Sequence, residues 1–297
     1  MTWSKRPVLG SRWIAAARLL VGLAALAAVV AWLLPGAGEL RAALAAASPR
    51  PAFLAAALAA TTVACLVTSA RWKLLAEAMG GTPLPHVAYF HSLALTRVLG
   101  QVSSTLVMDL VGRGALLRAA GSKRGLGHAF TQAALERAFD LALPLMLLAW
   151  AAPVVGRGWP EGQALAGFAG VCLAFAAASA VLLAPLVRLA LRLYSAARRR
   201  FAADAEPLDP PAIDRRLAVR VGLLSLARHL AVTLQFWAIA AALGAALSPA
   251  QIAAATPIGL LAGMLGVTPG ALGIQEAGWA GALTWVGVDA AAVALFV

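Results

Sequence analysis

The sequence predicts an all-α polytopic membrane protein. About five full transmembrane helices and two broken, re-entrant hairpins are expected, arranged as an inverted repeat in one integral membrane domain over residues 1–297. Three observations predict it. The chain is 62% hydrophobic and 12% charged, with a mean hydropathy of +0.85, which leaves too little polar residue to cover a soluble domain. Its apolar residues fall in runs of the length that crosses a bilayer as helix, about 20 residues. Two of those runs are broken by glycine, proline and charge where a helix ought to continue. The alternating strands that mark a membrane barrel do not occur.

The runs are residues 13–34, 52–70, 87–111, 128–152, 163–187, 217–243 and 251–297, the last long enough for two segments. The first follows Lys5, Arg6 and Arg12 in the manner of a secretory signal. Its apolar stretch is too long for one and no small-residue cleavage site follows at once, so it reads as an uncleaved first helix. Cys65 and Cys172 fall in the middle of apolar runs and read as small buried or lipid-facing residues, with neither a disulfide nor a metal site. Trp3, Trp13 and Trp72 on one side, and Trp32, Trp150 and Trp159 on the other, suit interfacial belts. His86, His91 and His128 read as interfacial as well.

Orientation follows from lysine and arginine. Eighteen of the 24 basic residues lie at the N-terminus, at Arg71 and Lys73, in the segment from Arg113 to Arg124, or between Arg188 and Arg220, a stretch that holds the basic, proline-containing loop 188–216. The opposite loops carry only Arg41, Arg50 and Arg157. The N-terminus and loop 188–216 are therefore expected in the cytoplasm. Heavy use of Ala, Gly, Arg and Pro suggests a GC-rich bacterial genome, hence a bacterial cytoplasmic (inner) membrane. The net charge of +12 is a topology signal, and with no basic soluble domain a nucleic-acid partner is excluded.

One run conflicts with this bias. Residues 87–111 lie between two basic segments, and a single crossing would put one of them outside. The run also breaks at "GQVSS". A hairpin that enters from the cytoplasm and returns resolves both facts, because irregular backbone is tolerated at depth where protein or a water-filled cavity satisfies it. The second break, "TPGALG", is reached from the other side. Two breaks entered from opposite faces are the sequence mark of an inverted repeat with a substrate site near the midplane. The alternative is an ordinary loop between two complete helices.

Charge inside such runs costs a few kcal/mol per residue even on insertion scales. "LERAFD" places Glu136, Arg137 and Asp140 in the fourth run, with Glu136 and Asp140 on one helix face. Arg228 and His229 lie in the sixth run, Arg97 in the first hairpin, Asp109 and Arg113 at its exit, and Gln275 and Glu276 after the second break. These charges read either as internal ion pairs holding helices together, or as a polar cavity whose arginines meet a phosphate-bearing headgroup. At the second break, Pro269 interrupts the helix, Gly270 and Gly273 permit the turn, and a helix restarting near Ile274 is expected to present unpaired amides to an anion. Glu276 in its first turn reads either as a cap or as a proton carrier.

The chain resembles the flippase-like family related to the transmembrane region of lysylphosphatidylglycerol synthases. Three stretches carry the resemblance: "ALERAFDLALP", "SSTLVMDLVGRGALLRAAG" and "TPGALGIQEAGWAGALTWVGVDAAAVAL". Pro269, Gly270, Leu272, Gly273, Glu276 and Ala277 match the family's terminal block, while Ala271 stands where it has Gly and Gln275 where it has Arg. The resemblance implies movement of lipids or lipid-linked precursors between leaflets. Bifunctional members add a soluble aminoacyl-transfer domain that these residues do not contain, and the last ones, "DAAAVALFV", read as the start of another helix.

The function expected is flippase- or scramblase-like translocation of a phospholipid or lipid-linked precursor. No phosphate-binding loop of the G-x-x-x-x-G-K-[ST] type occurs, so ATP hydrolysis is not expected, and no cofactor or metal is called for. The alternatives are an integral-membrane transferase on lipid-linked substrates and an accessory subunit of a lipid-biosynthesis complex. Asp204, Glu206, Asp209 and Asp214 sit in the linker-like "ADAEPLDPPAID" and offer no metal pair. Membrane lipids with an anionic headgroup are the expected partners, and a homo-oligomer is compatible with this reading.

Overall fold

A computed structural model describes Leu20, Leu23, Ala24, Ala27 and residues 50–103, 105–122, 126–201, 214–245, 247–265 and 268–297. The expected first helix, with Trp3, Trp13 and Trp32, lies outside the described residues. So does most of the segment 202–213, including Asp204, Glu206 and Asp209.

The described chain is helical throughout. Helix α1 runs Pro51–Ala78, α2 His86–Val102, α3 Arg113–Ala119, α4 Leu126–Arg157, α5 Glu161–Phe201, α6 Arg215–Ala242, α7 Pro249–Leu265, α8 Ile274–Trp285 and α9 Ala290–Phe296. A short turn, Thr105–Val107, and a wider π-helical turn, Met108–Gly112, lead into α3. Among the described residues, four helices, α1, α4, α5 and α6, are long and apolar enough to cross a membrane. Leu58, Val98, Leu173 and Val181 are exposed on the outside of the bundle, where lipid rather than water accounts for them.

Helices α1 and α6 form the central pair. They are antiparallel, with the Arg50 amide donating to the Ala242 carbonyl at 3.1 Å. The main core lies between α4, α5, α6 and α7, around Leu143, Leu147, Phe168, Val221 and Ala253. A second cluster packs Trp279, Phe236 and Phe296 where α6, α8 and α9 meet.

Both broken runs fold as hairpins. In the first, Leu117 of the returning limb packs beside Tyr89 and Leu93 at the start of α2 and against Trp72 and Ala76 of α1. Its open end therefore lies at the C-terminal end of α1. In the second, Gln251 Nε2 donates to the Val286 carbonyl at 3.4 Å, so its open end lies where α6 finishes. At 17 and 12 residues, α7 and α8 do not suit two complete crossings of about 20 residues each. A Cβ on Gly259 would run into the Trp279 ring, so glycine here lets the two limbs close. The hairpins approach from opposite ends of the bundle and meet at their tips, where the Gly270 amide donates to the Gly100 carbonyl at 2.9 Å.

Two sequence expectations change here. The segment 188–201 is helix, a continuation of α5, and not part of a loop. No helix breaker stands between Pro185 and Pro207, and arginine, leucine and alanine are strong helix formers. Trp72 and Trp150 are core residues and not interfacial belts: Trp72 meets Tyr89 edge-on and Trp150 meets Phe168. His86 is half-buried, its Nε2 lying 2.8 Å from Ser69 Oγ.

The second tip carries local strain. Ala271 is the non-glycine residue with positive φ among those described, at +59°, a left-handed conformation that costs an L-residue about 1–2 kcal/mol. Ala271→Gly relieves it and gives back part through the freer unfolded chain. A net gain of roughly 0.5–1 kcal/mol is expected, to be read from thermal unfolding in detergent.

Candidate functional site

Where the tips meet, a cavity of about 260 Å³ opens, lined by residues of both hairpins and of α1, α4 and α6. Arg97, Asp109, Arg113, Arg137, Asp140, Arg228, Gly270 and Gln275 line it. Pro269, Gly273, Glu136 and Glu276 are not on its wall. Sequence reasoning missed the polar lining of Thr68, Thr96, Gln101 and Thr105.

The charges form one network. Asp109 sits on the π-helical turn, a distortion common at functional sites, and accepts from Arg113 Nη2 at 2.8 Å and from Arg137 Nη2 at 2.6 Å. Arg113 reaches on to Glu136 Oε2 at 2.9 Å and lies over the Trp72 ring, 5.4 Å from its centroid. Arg137 also donates to the Met264 carbonyl at 3.0 Å, an acceptor left over at the C-terminal end of α7. It thereby ties α4 to both hairpins. Asp140 Oδ1 accepts from Arg228 at 3.2 Å. Because α4 places Glu136 and Asp140 one turn apart on a single face, a third arginine can bind both.

That arginine is Arg71, which the sequence reading had assigned to a basic cytoplasmic segment. It lies within α1, 1% exposed. Its two terminal nitrogens bind both oxygens of Asp140 at 2.6 and 3.0 Å, and it stands 3.6 Å from Glu136 and 3.0 Å from Ser225 Oγ. A signal was present. The helix-ending cluster Gly80, Gly81 and Pro83 comes about ten residues after it, so Arg71 had to be helical. Five arginines, 71, 97, 113, 137 and 228, face three carboxylates, leaving two positive charges in excess.

The second break does not present free amides, contrary to expectation. Each amide from Gly270 to Gln275 has an acceptor: Gly100, Thr268, Pro269, the Glu276 side chain and Ala271, the last serving two of them. Successive tight turns, made possible by positive φ at Gly270, Ala271 and Gly273, consume the donors within the loop. Glu276 is a cap. Its Oε2 accepts the Gly273 amide at 2.6 Å in the first turn of α8. Glu276→Gln keeps that acceptor and loses only the charge at the helix N-terminus. A loss of about 0.3–1 kcal/mol is expected in thermal unfolding in detergent, and a variant as stable as the wild type would overturn the capping role.

The family model described as Lysylphosphatidylglycerol synthase TM region matches residues 19–297. Comparison with curated proteins and with solved structures gives no match.

Proposed function

The chain belongs to the lysylphosphatidylglycerol synthase TM region family, a multi-pass membrane family with a lipid-related role, and on that premise we propose that it translocates a phospholipid or lipid-linked precursor across the bacterial cytoplasmic membrane. One observation carries the proposal. A cavity with a surplus of guanidinium groups lies where two half-crossing hairpins touch tip to tip. Arginine matches phosphate in charge and in forked geometry. Isolated charge at membrane depth is costly, and polar residues retained there mark substrate pathways. The bundle supplies apolar outer walls for acyl chains while the headgroup passes the arginines, and the tips are where access switches from one end to the other. In this reading the N-terminus and the basic end of α5 are cytoplasmic.

The test is reconstitution of the full chain in liposomes holding a fluorescent phosphatidylglycerol in both leaflets. An impermeant quencher added outside destroys the fluorescence of the outer leaflet only. Loss of signal well beyond that of protein-free vesicles supports the proposal, provided that it is slowed by Arg228→Gln. Signal identical to empty vesicles refutes it. Cysteine labelling just before His86 and just after Arg113 checks the first hairpin, which requires both positions to react from the same side.

A further inference from the structure

Independently of the translocation reading, we propose that a groove at the open end of the first hairpin binds one resident phospholipid, with its phosphate between Lys73 and Arg220. The groove, of about 590 Å³, lies between the end of α1, the start of α2 and the start of α6. It shares no lining residue with the cavity at the tips. Ala70, Leu74, Leu223 and Leu224 give it an apolar surface, and its charges are Lys73, Glu77 and Arg220.

Depth identifies the ligand. Helices α1 and α6 have 28 residues each and so span about 42 Å at 1.5 Å per residue, the thickness of a bilayer with its headgroup layers, about 40–45 Å. They run antiparallel, joined at one end by the Arg50 amide on the Ala242 carbonyl and toward the other by Arg71 on Ser225 at 3.0 Å. Lys73 stands five residues before the end of α1 and Arg220 five after the start of α6. Both are therefore about 7–8 Å inside the helix ends, where headgroups meet hydrocarbon. At helical spacing Leu66 and Val63 continue the Ala70 face of α1, and Leu230 and Leu234 the Leu223 face of α6. All four are exposed among the described residues and offer acyl chains a path below the phosphate.

Charge fits as well. Lys73 lies 3.8 Å from Glu77 in a loose, partly exposed pair, and Arg220 has no ion-pair or hydrogen-bond partner among the described residues. With His86 neutral, two cations against one acid leave a single positive charge, the complement of a phosphodiester. A phosphate gains charge-assisted bonds there without breaking a buried pair. The third wall is held in place from inside. Ser69 gives its hydrogen to the Leu66 carbonyl at 2.9 Å, and so accepts from His86 Nε2 at 2.8 Å, which fixes the start of α2 at the groove. A lipid there touches the base of the first hairpin and the central pair at once.

The experiment is non-denaturing mass spectrometry of the full chain in mild detergent, titrated with dioleoyl phosphatidylglycerol or with dioleoylglycerol, which has the same chains and no phosphate. Wild type is expected to hold the phospholipid at least about tenfold more tightly, a difference of about 1.4 kcal/mol. The double variant Lys73→Gln, Arg220→Gln should lose that difference. The charge-keeping pair Lys73→Arg, Arg220→Lys should retain it, as should Arg228→Gln, which alters only the cavity at the tips. Added phosphatidylglycerol should also raise the melting temperature of wild type and not that of the glutamine pair. Equal retention of dioleoylglycerol overturns the inference, and so does a preference that survives the glutamine pair. A phospholipid lost in Arg228→Gln and kept in the glutamine pair sits at the tips, which also overturns it. Wild type that retains no lipid shows that another part of the chain, or a second copy, occupies the groove instead.

Discussion

Arg71→Met is expected to destabilise the protein by about 3–5 kcal/mol, the usual cost of leaving a buried charge without its partner. Methionine fills a similar length but offers Asp140 and Glu136 nothing. Asp140 keeps only Arg228 at 3.2 Å and Glu136 only Arg113 at 2.9 Å. Ser225 loses a donor to its hydroxyl as well. Removing one of the stranded acids should restore part of the loss. Arg71→Met with Glu136→Gln is therefore expected to be more stable than Arg71→Met alone, with a coupling of roughly 1–3 kcal/mol. Unfolding in micelles, followed by tryptophan fluorescence, measures both. Additive effects would show that Arg71 and Glu136 act separately despite their 3.6 Å approach.

Gly270→Val should have the largest functional effect. Gly270 has φ of +62°, and a Cβ there would stand 2.7 Å from Gln101 Oε1 and within 3.6 Å of the Gln101 backbone. A β-branched residue in this conformation is an outlier, with strain of about 1–3 kcal/mol. The end of the Gln101 side chain can turn away, so the penalty falls as backbone strain on the second tip, and that strain is expected to loosen its bond to the Gly100 carbonyl. Translocation is expected to fall by about tenfold or more, the scale of 1.4 kcal/mol, while the protein still assembles. Gly281→Ala is the control. A Cβ there meets nothing within 4 Å, so translocation should be unchanged and helix stability should rise slightly. Equal rates in Gly270→Val and wild type would show that tip contact has no part in transport.

How far the sequence could be read depended on the range of the interaction. The two breaks were legible because proline and glycine act on their own backbone. "GQVSS" and "TPGALG" end helices wherever they occur, and α2 and α7 stop there. The shared face of Glu136 and Asp140 was legible from helix period alone. Arg71 was not, because what fixes its role is Asp140, 69 residues on, and Ser225, 154 residues on. Counting arginines near the end of an apolar run cannot separate a loop residue from one turned inward on the last turns of a helix. The closed amides of the second tip were missed for a related reason. The turn that closes them depends on Ala271 adopting a left-handed conformation, which alanine's own preference argues against and which the surrounding fold imposes.

The distance in sequence between Arg71 and its acids also bears on how the protein is made. Chains emerge from the ribosome at about 5–20 residues per second. Asp140 therefore follows Arg71 by 69 residues, or roughly 3–14 s at that pace. For that time α1 must lodge in the membrane with its arginine uncompensated, against an insertion cost of about 2.5–3.5 kcal/mol at mid-depth. The 18-residue apolar stretch that precedes the arginine in α1, of mean hydropathy 1.9, supplies the counterweight. Arg71, toward the C-terminal end of that helix, can meanwhile reach for the near headgroup layer. The arginine that later locks the centre of the finished bundle thus begins as a passenger on the early helix, and biogenesis closes only when α4 arrives to draw it inward.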